Sequence, residues 1–420
     1  MKIKWKAAAL VMSVALGVCA CAHNTAPEAG QTTDKKSKNE KSYQGNLDEL
    51  NPSAYGNVEG LNLEPGTYIS IIGKDAGGEY WKAVEKGAQQ AVKDINTMLG
   101  YEGDEKVKMV YSGPAKSNDV DEQVNILDEE LARYPDAVGI SIIDSQSCDV
   151  QFDLATENNI PIVAFDSASG YQGIMAKVST NNAAAAATAA SRLAEAMDES
   201  GEVMIFMHDS RSETSQEREK GFVQEMQANH PGITIGNTYY MDGMEELKKT
   251  IAGEIDAGAY VKETGEVIET AAMEEAGESA ESDATATDDA AADENAEKTD
   301  PESITDEEVY QYIFAKNPNI RGIYATNGDA VLTMLKACEN QEKEDVQIVG
   351  FDADEEEIEA LMDGKLVGLA VQNPYGMGYA TVVAAARSIL NMGNEAIVDS
   401  GFTWVNQKNI EDEAVQRLLY

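Results

Sequence analysis

Asp144, Asp166, Asn327, Asp352 and Gln372 share one sequence context: each stands at or just past the end of a short apolar run. Residues 346–351 (VQIVGF) stop at Asp352, an acidic amphipathic segment follows, and residues 367–371 (VGLAV) stop at Gln372. That pattern reads strand, helix, strand, with a polar side chain at the end of each strand. In a parallel α/β sheet the strand C-termini open onto the crevice where ligands bind, so carboxylates and amides in this position are candidates for polar contact with a ligand. Taken singly, each aspartate is better read as a turn or helix cap; their recurrence at successive strand ends makes a shared crevice the stronger reading. Tyr80-Trp81 stands beside them, in the first turn of a segment whose apolar stripe (Trp81, Val84, Ala88, Ala91, Val92, Ile95, Leu99) has helical spacing. Periodicity alone assigns Trp81 to packing.

Catalytic alternatives are weak. His208-Asp209-Ser210 holds hydrolase residue types, but sequence-adjacent side chains do not generally reach one another as a triad, and no GxSxG elbow is present. Gly73-Lys74 and Gly364-Lys365 complete no phosphate-binding loop. The chain therefore reads as a binding protein and not an enzyme, with no cofactor or metal site.

The elements that must position these residues alternate along the chain. Strands are expected at 67–72, 107–111, 137–142 and 162–165, with helices between them, and a second series follows from the Ala-rich helix after Asn182: strands at 202–207, 233–239, 321–324, 346–351 and 367–371. This alternation predicts an α/β chain of two Rossmann-like lobes with parallel sheets. A helix over 375–392 and a short terminal segment around 402–405 complete it. Residues 254–302 interrupt the pattern with Lys262 and Lys298 as their only bases among many Glu and Asp, which predicts a solvated insertion without a core of its own. No glycine-punctuated calcium loop occurs there.

The 420 residues are 43% hydrophobic, enough for two lobes, and carry a formal net charge of -43. Acidity of this size excludes a nucleic-acid partner, which needs a concentrated basic face. Residues 1–20 combine Lys2, Lys4 and Lys6 with an apolar run too short to span a bilayer, the pattern of a secretory signal. Val18-Cys19-Ala20-Cys21 resembles a bacterial lipobox, with Cys21 as the lipidated residue, so the chain is expected outside the cytoplasm, lipid-anchored to the bacterial cell membrane. Residues 21–65 are polar and read as a flexible tether. Cys148 and Cys338 are too isolated for a disulfide framework or a zinc site and are expected as buried free thiols.

Several short motifs, in this order, resemble the ribose/galactose type of periplasmic sugar-binding protein, the solute receptors of ABC importers. They are Tyr80-Trp81 with Lys86-Gly87-Ala88-Gln89, Asn159-Ile160-Pro161 before Phe165-Asp166, Thr180-Asn181-Asn182, Arg218 with Gly221-Phe222, residues 323–329, Gly350-Phe351-Asp352 and Asp363-Gly364-Lys365-Leu366. The resemblance implies the periplasmic-binding-protein-like I architecture: lobes of residues 66–180 with 373–401, and 181–372 with 402–420, joined by three crossings near residues 180–182, 372–373 and 401–402. It implies that Tyr80 and Trp81 cover the apolar face of a monosaccharide or related polyol. Asp166, Arg218, Asn327, Asp352 and Gln372 would take its hydroxyls. It implies as partners an ABC permease with its ATPase, a monomeric receptor and a membrane reached only through the N-terminal lipid. A sugar-sensing receptor reporting to a membrane kinase, or a binder of a non-sugar polyol-like signal, is the alternative. Ser167 stands where ribose binders carry arginine, and Lys74-Asp75 with glycines stands where they carry asparagine-proline, which points away from ribose itself.

Overall fold

The computed structural model describes residues 42–262, 264–268 and 298–420, and residues 42–420 form one compact unit. Cys21, the signal segment and residues 269–297 of the acidic insertion lie outside the described residues.

Two six-stranded sheets organise this unit. The first lobe is built on β1 (Tyr68–Ile72), β2 (Lys108–Ser112), β3 (Ala137–Ile140), β4 (Ile162–Phe165), β5 (Ile174–Ser179) and, from much later in the chain, β13 (Ile397–Asp399). Their order is β13-β5-β4-β3-β1-β2, every pair parallel. The second lobe uses β6 (Gly201–Met207), β7 (Ile233–Tyr240), β10 (Ile320–Ala325), β11 (Gln347–Phe351), β12 (Gly368–Gln372) and β14 (Phe402–Val405). Their order is β14-β12-β11-β10-β6-β7, with β14 alone antiparallel. The hairpin of β8 (Tyr260–Val261) and β9 (Glu266–Val267) stands apart. Strands buried on both faces read as continuous apolar runs, which is why β3, β4, β11 and β12 are legible in the sequence.

Helices cover both faces of each sheet. Helix α2 (Glu79–Leu99) buries Ala83, Val84, Ala88, Ala91, Val92 and Ile95 and stops at Gly100, whose φ of 70° is the left-handed cap a side chain disfavours. It lies against α11 (Pro374–Ile389), a helix buried along almost its whole length. The two approach closely because a Cβ on Gly87 would collide with the Tyr375 carbonyl and one on Gly378 with the Val84 carbonyl. In the second lobe α5 (Asn182–Ala196) buries Ala185, Ala186, Ala189, Ala190 and Leu193, beside α6 (Glu213–Asn229), and α9 (Gly328–Asn340) and α10 (Glu355–Met362) add Val331, Met334 and Leu361 to the lobe's core. No helix among the described residues is long and apolar enough to cross a membrane.

Some expectations need correction. Residues 42–65 are no tether: α1 (Gln44–Asp48) and the chain after it insert Leu47, Leu50, Tyr55, Leu61 and Leu63 into the first lobe's core. These side chains dock one by one without a helical or strand period, so nothing in the spacing announced them. The acidic insertion is also shorter than residues 254–302, since α7 (Met244–Asp256) runs into that range and Tyr260 is buried in the second lobe. Strands β5 and β13 had no counterpart among the expected strands. Lys177 interrupts the first and the second is three residues long. Cys148 and Cys338 are buried free thiols in separate lobes.

Candidate functional site

Among the described residues the chain passes between the sheets three times, at residues 180–181, 373 and 400–401, and hydrogen bonds tie these crossings together. Thr180 Oγ1 donates to Gln372 Oε1 at 2.9 Å, and Asn373 Nδ2 donates to the Ser400 carbonyl at 2.9 Å. Beside them lies a cavity of about 200 Å³ between the C-terminal ends of the two sheets, lined from the first lobe by Lys74, Asp75, Glu79, Tyr80, Trp81 and Asp166. From the second it is lined by His208, Arg218, Asn327, Asp329, Asp352, Asp354 and Gln372. A further set of interlobe ties lies at Lys177, whose ammonium is 2.8 Å from both Glu213 and Glu217.

On the first lobe's wall, Asp166 follows β4 directly with φ 56°, a left-handed backbone that turns its carboxylate off the sheet end. Its Oδ2 accepts from Ser141 Oγ at 2.8 Å and pairs with Lys74 Nζ at 3.2 Å; its Oδ1 accepts from Tyr80 Oη at 3.3 Å. Burial alone would raise the Asp166 carboxyl, but the Lys74 and Arg218 cations and the Ser141 hydroxyl overcome it and hold it below the usual carboxylate range. Tyr80 and Trp81 meet edge to face at 5.0 Å, Trp81 rests on Phe165, and Tyr420 packs on Tyr80 from behind. The aromatic pair thus serves packing and cavity lining together.

Asp352 repeats the geometry on the second wall, directly after β11 with φ 78°. Its Oδ1 accepts from Gln372 Nε2 at 2.6 Å and its Oδ2 from the Gly328 amide at 3.0 Å. Gln372 therefore links this carboxylate to the crossing at Thr180. Asn327 caps α9 by accepting from Ala330 N–H, which leaves its amide NH2 as a donor. Arg218, 3% exposed, donates Nε to Asn182 Oδ1 at 2.8 Å and NH1 to the Thr326 carbonyl, and its guanidinium lies 4.1 Å from the centre of the Phe351 ring. Burial, then the charges of Asp352, Glu79 and Asp329, pushes Asp354 up to about 7. Burial and the charges of Asp352 and Asp75 raise Asp329. Burial pushes His208 well below its ordinary value despite neighbouring Asp209, so its imidazole is neutral and bonds Thr326 Oγ1 at 2.8 Å.

The structure brings Tyr80, Trp81, Asp166, Arg218, Asn327, Asp352 and Gln372 to one cavity. Asp144 is not among its lining. β3 ends at Ile140, four residues earlier, and Asp144 Oδ1 closes its own turn on the Gln146 amide at 2.9 Å. Sequence reasoning missed Lys74, Glu79, His208, Asp329 and Asp354 as lining groups. Lys74 was the most discoverable of these, being a charge two residues past a buried strand.

These features agree with the comparisons. A family model described as a periplasmic binding protein domain matches residues 69–260 and 290–394. The "Ribose import binding protein RbsB" of Escherichia coli (strain K12) is 31% identical over 86 residues, which is 20% of this chain and 29% of that protein's length. Among solved structures, an ABC transporter solute-binding protein from Agrobacterium vitis bound with alpha-D-tagatopyranose superposes with a TM-score of 0.63 at 20% identity, covering 84% of this chain and 99% of that one. A carbohydrate transporter solute-binding protein from Agrobacterium radiobacter, in complex with D-arabinose, gives 0.61 at 24% identity, with 84% and 99% covered. The family match spans well over half of the sequence, and the chain belongs to the periplasmic binding protein family.

Proposed function

We propose that this chain is an extracytoplasmic receptor that captures a monosaccharide or related polyol between its lobes and delivers it to an ABC permease. The observation that carries this reading is the cavity itself: an aromatic pair, Tyr80 and Trp81, faces a ring of polar groups that both lobes supply. Aromatic rings cover the C–H side of a sugar, while carboxylate, amide and guanidinium groups take its hydroxyls. Each polar group that a wrong epimer leaves buried and unpaired costs about 1–3 kcal/mol, so the same ring of groups selects the ligand. Bound sugar bridges the lobes, stabilises the closed arrangement and thereby offers the permease a surface the free protein populates less. The path from Asp352 through Gln372 to Thr180 supports this coupling, because a ligand contact at Asp352 bears directly on a crossing between lobes.

A signal segment and lipidation at Cys21 would hold the receptor at the outer face of the membrane. Incorporation of labelled palmitate, abolished by Cys21→Ala, tests the anchor. The capture itself is tested by thermal shift across pentoses, hexoses and polyols, followed by calorimetry. At least one ligand should raise Tm and bind with a Kd near 1 μM, equivalent to about -8 kcal/mol. A panel without a stabilising ligand would overturn the reading.

A further inference from the structure

We infer that Lys177, a first-lobe residue outside the cavity, is a positioning residue for Arg218: seating its ammonium between Glu213 and Glu217 fixes the arginine of the other lobe in the geometry that holds a bound sugar. This rests on the sugar-capture reading and adds to it a residue that completes the site from a distance.

The argument starts from a chain of hydrogen bonds that crosses between the lobes. Lys177 stands on β5, the strand paired with β4, whose last residue precedes Asp166. Its Nζ lies 2.8 Å from Glu217 Oε1 and 2.8 Å from Glu213 Oε2. The two glutamates are one helical turn apart on α6 and so share a face of it. Glu217 Oε2 in turn accepts from Asn182 Nδ2 at 2.9 Å, and Asn182 Oδ1 accepts from Arg218 Nε at 2.8 Å. A cation of the first lobe is thereby connected to the guanidinium of the second through Glu217 and Asn182. Arg218 lines the sugar cavity, whereas Lys177, Asn182, Glu213 and Glu217 do not.

The chemistry of the chain makes it directional. A carboxylate only accepts and a guanidinium only donates, so the Asn182 amide between them has one orientation that satisfies both. Asn182 is buried and is the first residue of α5, directly after the crossing at residues 180–181. Glu217 can hold that amide in place only while its own carboxylate is fixed, and Lys177 is the cation that fixes it. Burial alone would lower the Lys177 ammonium, but Glu217 and Glu213 overcome it and raise it above its ordinary value, so the clasp is ionic. Glu213 also accepts from the Ala168 amide at 2.9 Å, in the loop that follows Asp166. The clasp therefore touches the surroundings of one ligand carboxylate and of the ligand guanidinium together. As a stabilising pair it is weak, because both glutamate side chains are about a third exposed. Its weight lies in what it orients.

The test uses the full chain at pH 7, with D-ribose, D-xylose, D-arabinose, D-glucose, D-galactose and myo-inositol as probes. Calorimetry ranks the six, and stopped-flow fluorescence follows the tightest. Lys177→Met should weaken its Kd by about tenfold or more, mainly through a faster koff, while the ligand-free Tm moves by less than about 2 °C. Glu217→Gln, which keeps the side chain's size and loses its charge, should act in the same direction. Lys177→Arg, which keeps the cation, should stay within about threefold of the parent. In an Arg218→Ala background, Lys177→Met should cost less than about twofold, because the group it positions is gone. An unchanged Kd in Lys177→Met or Glu217→Gln, an arginine variant as weak as methionine, or equal losses with and without Arg218 overturns the inference and leaves sugar capture standing. If none of the six probes binds the parent chain, the capture reading falls and this inference falls with it.

Discussion

Two corners of the molecule share one design and differ in their company. Each lobe runs its strands in the same spatial order, with the fourth strand in chain order ending in Phe and followed directly by Asp: Phe165 then Asp166 at β4, Phe351 then Asp352 at β11. Both aspartates take a positive φ, and both donate their amide to the next strand, Asp166 to Val178 and Asp352 to Ala370. Strain of this kind, of order 1–3 kcal/mol per residue, persists where surrounding structure enforces it, and here it aims two carboxylates at one cleft. The loop after the first strand of each lobe then separates them. The first lobe supplies Lys74 to Asp166. The second supplies His208, which is neutral and turned to Thr326, so Asp352 has amide donors but no cation. One wall pairs its aspartate with a cation, and the other leaves Asp352 to amide donors alone.

The sharpest way to break this contrast is to neutralise each aspartate in the ligand-free protein. Asp166→Asn strands the buried Lys74 ammonium, and losing one partner of a buried pair costs about 3–5 kcal/mol. Asp352→Asn strands no cation and relieves repulsion on Asp329, Asp354 and Glu357, but it sets an amide NH2 against the donor of Gly328 or Gln372, so its cost should stay at about 1–2 kcal/mol. Urea unfolding at pH 7 measures both. Equal losses would show that the walls do not differ. Replacing the pair together, Asp166→Leu with Lys74→Met, should recover most of the first loss, because no charge is then left unpaired.

Arg218 sharpens the contrast from the binding side. It stands on the second lobe, yet its charge is one of those that lower Asp166. Arg218→Ala should weaken sugar binding by about 100-fold, the scale of roughly 3 kcal/mol for charge-assisted bonds. Arg218→Lys keeps the charge but loses the planar fork that spans Asn182, Thr326 and the Phe351 face, and should fall between the two. Calorimetric Kd values decide; a lysine variant as weak as alanine would show that fork geometry, and not charge, carries the contact.

What the sequence disclosed follows from the same physics. The fully buried strands that precede Asp166 and Asp352 are unbroken apolar runs, so their ends, and the carboxylates just past them, are visible. Asp144 looked identical on paper, but β3 stops at Ile140 and the extra residues turn it away. Strand ends read to within two residues settle an aspartate only when it follows the strand directly. Asp354 was hidden for another reason: as the residue before α10, with Glu357 Oε2 accepting its amide at 3.0 Å, it has the look of a helix start. That the same residue lines a cavity depends on how the lobes face each other, which no local pattern records. Residues 42–65 were hidden because isolated leucines docking on a distant core have no period.

The smallest expected effect concerns Asp354 and pH. Its folded-state carboxyl is raised to about 7 by burial and by Asp352, Glu79, Asp329 and Glu356, above the roughly 3.9 of an unfolded aspartate. Between those values the folded chain holds a proton that the unfolded chain has released, so stability falls as pH rises from about 4 through about 7. Below pH 4 both states are protonated and the residue contributes no pH dependence. Asp354→Asn removes the ionisation. Because the residue is only partly buried, the full shift is discounted to roughly 1 kcal/mol, a gain in Tm of about 2–4 °C at pH 8 in the ligand-free protein. At pH 4 the variant and the parent should melt together. The other raised acids of the wall, Asp329 and Glu357, keep titrating in the variant, so the informative quantity is the difference between the two Tm–pH curves. A difference that stays flat from pH 4 to pH 8 would mean that Asp354 is ionised throughout, and the second wall would then be no more strained by its own charge than the first.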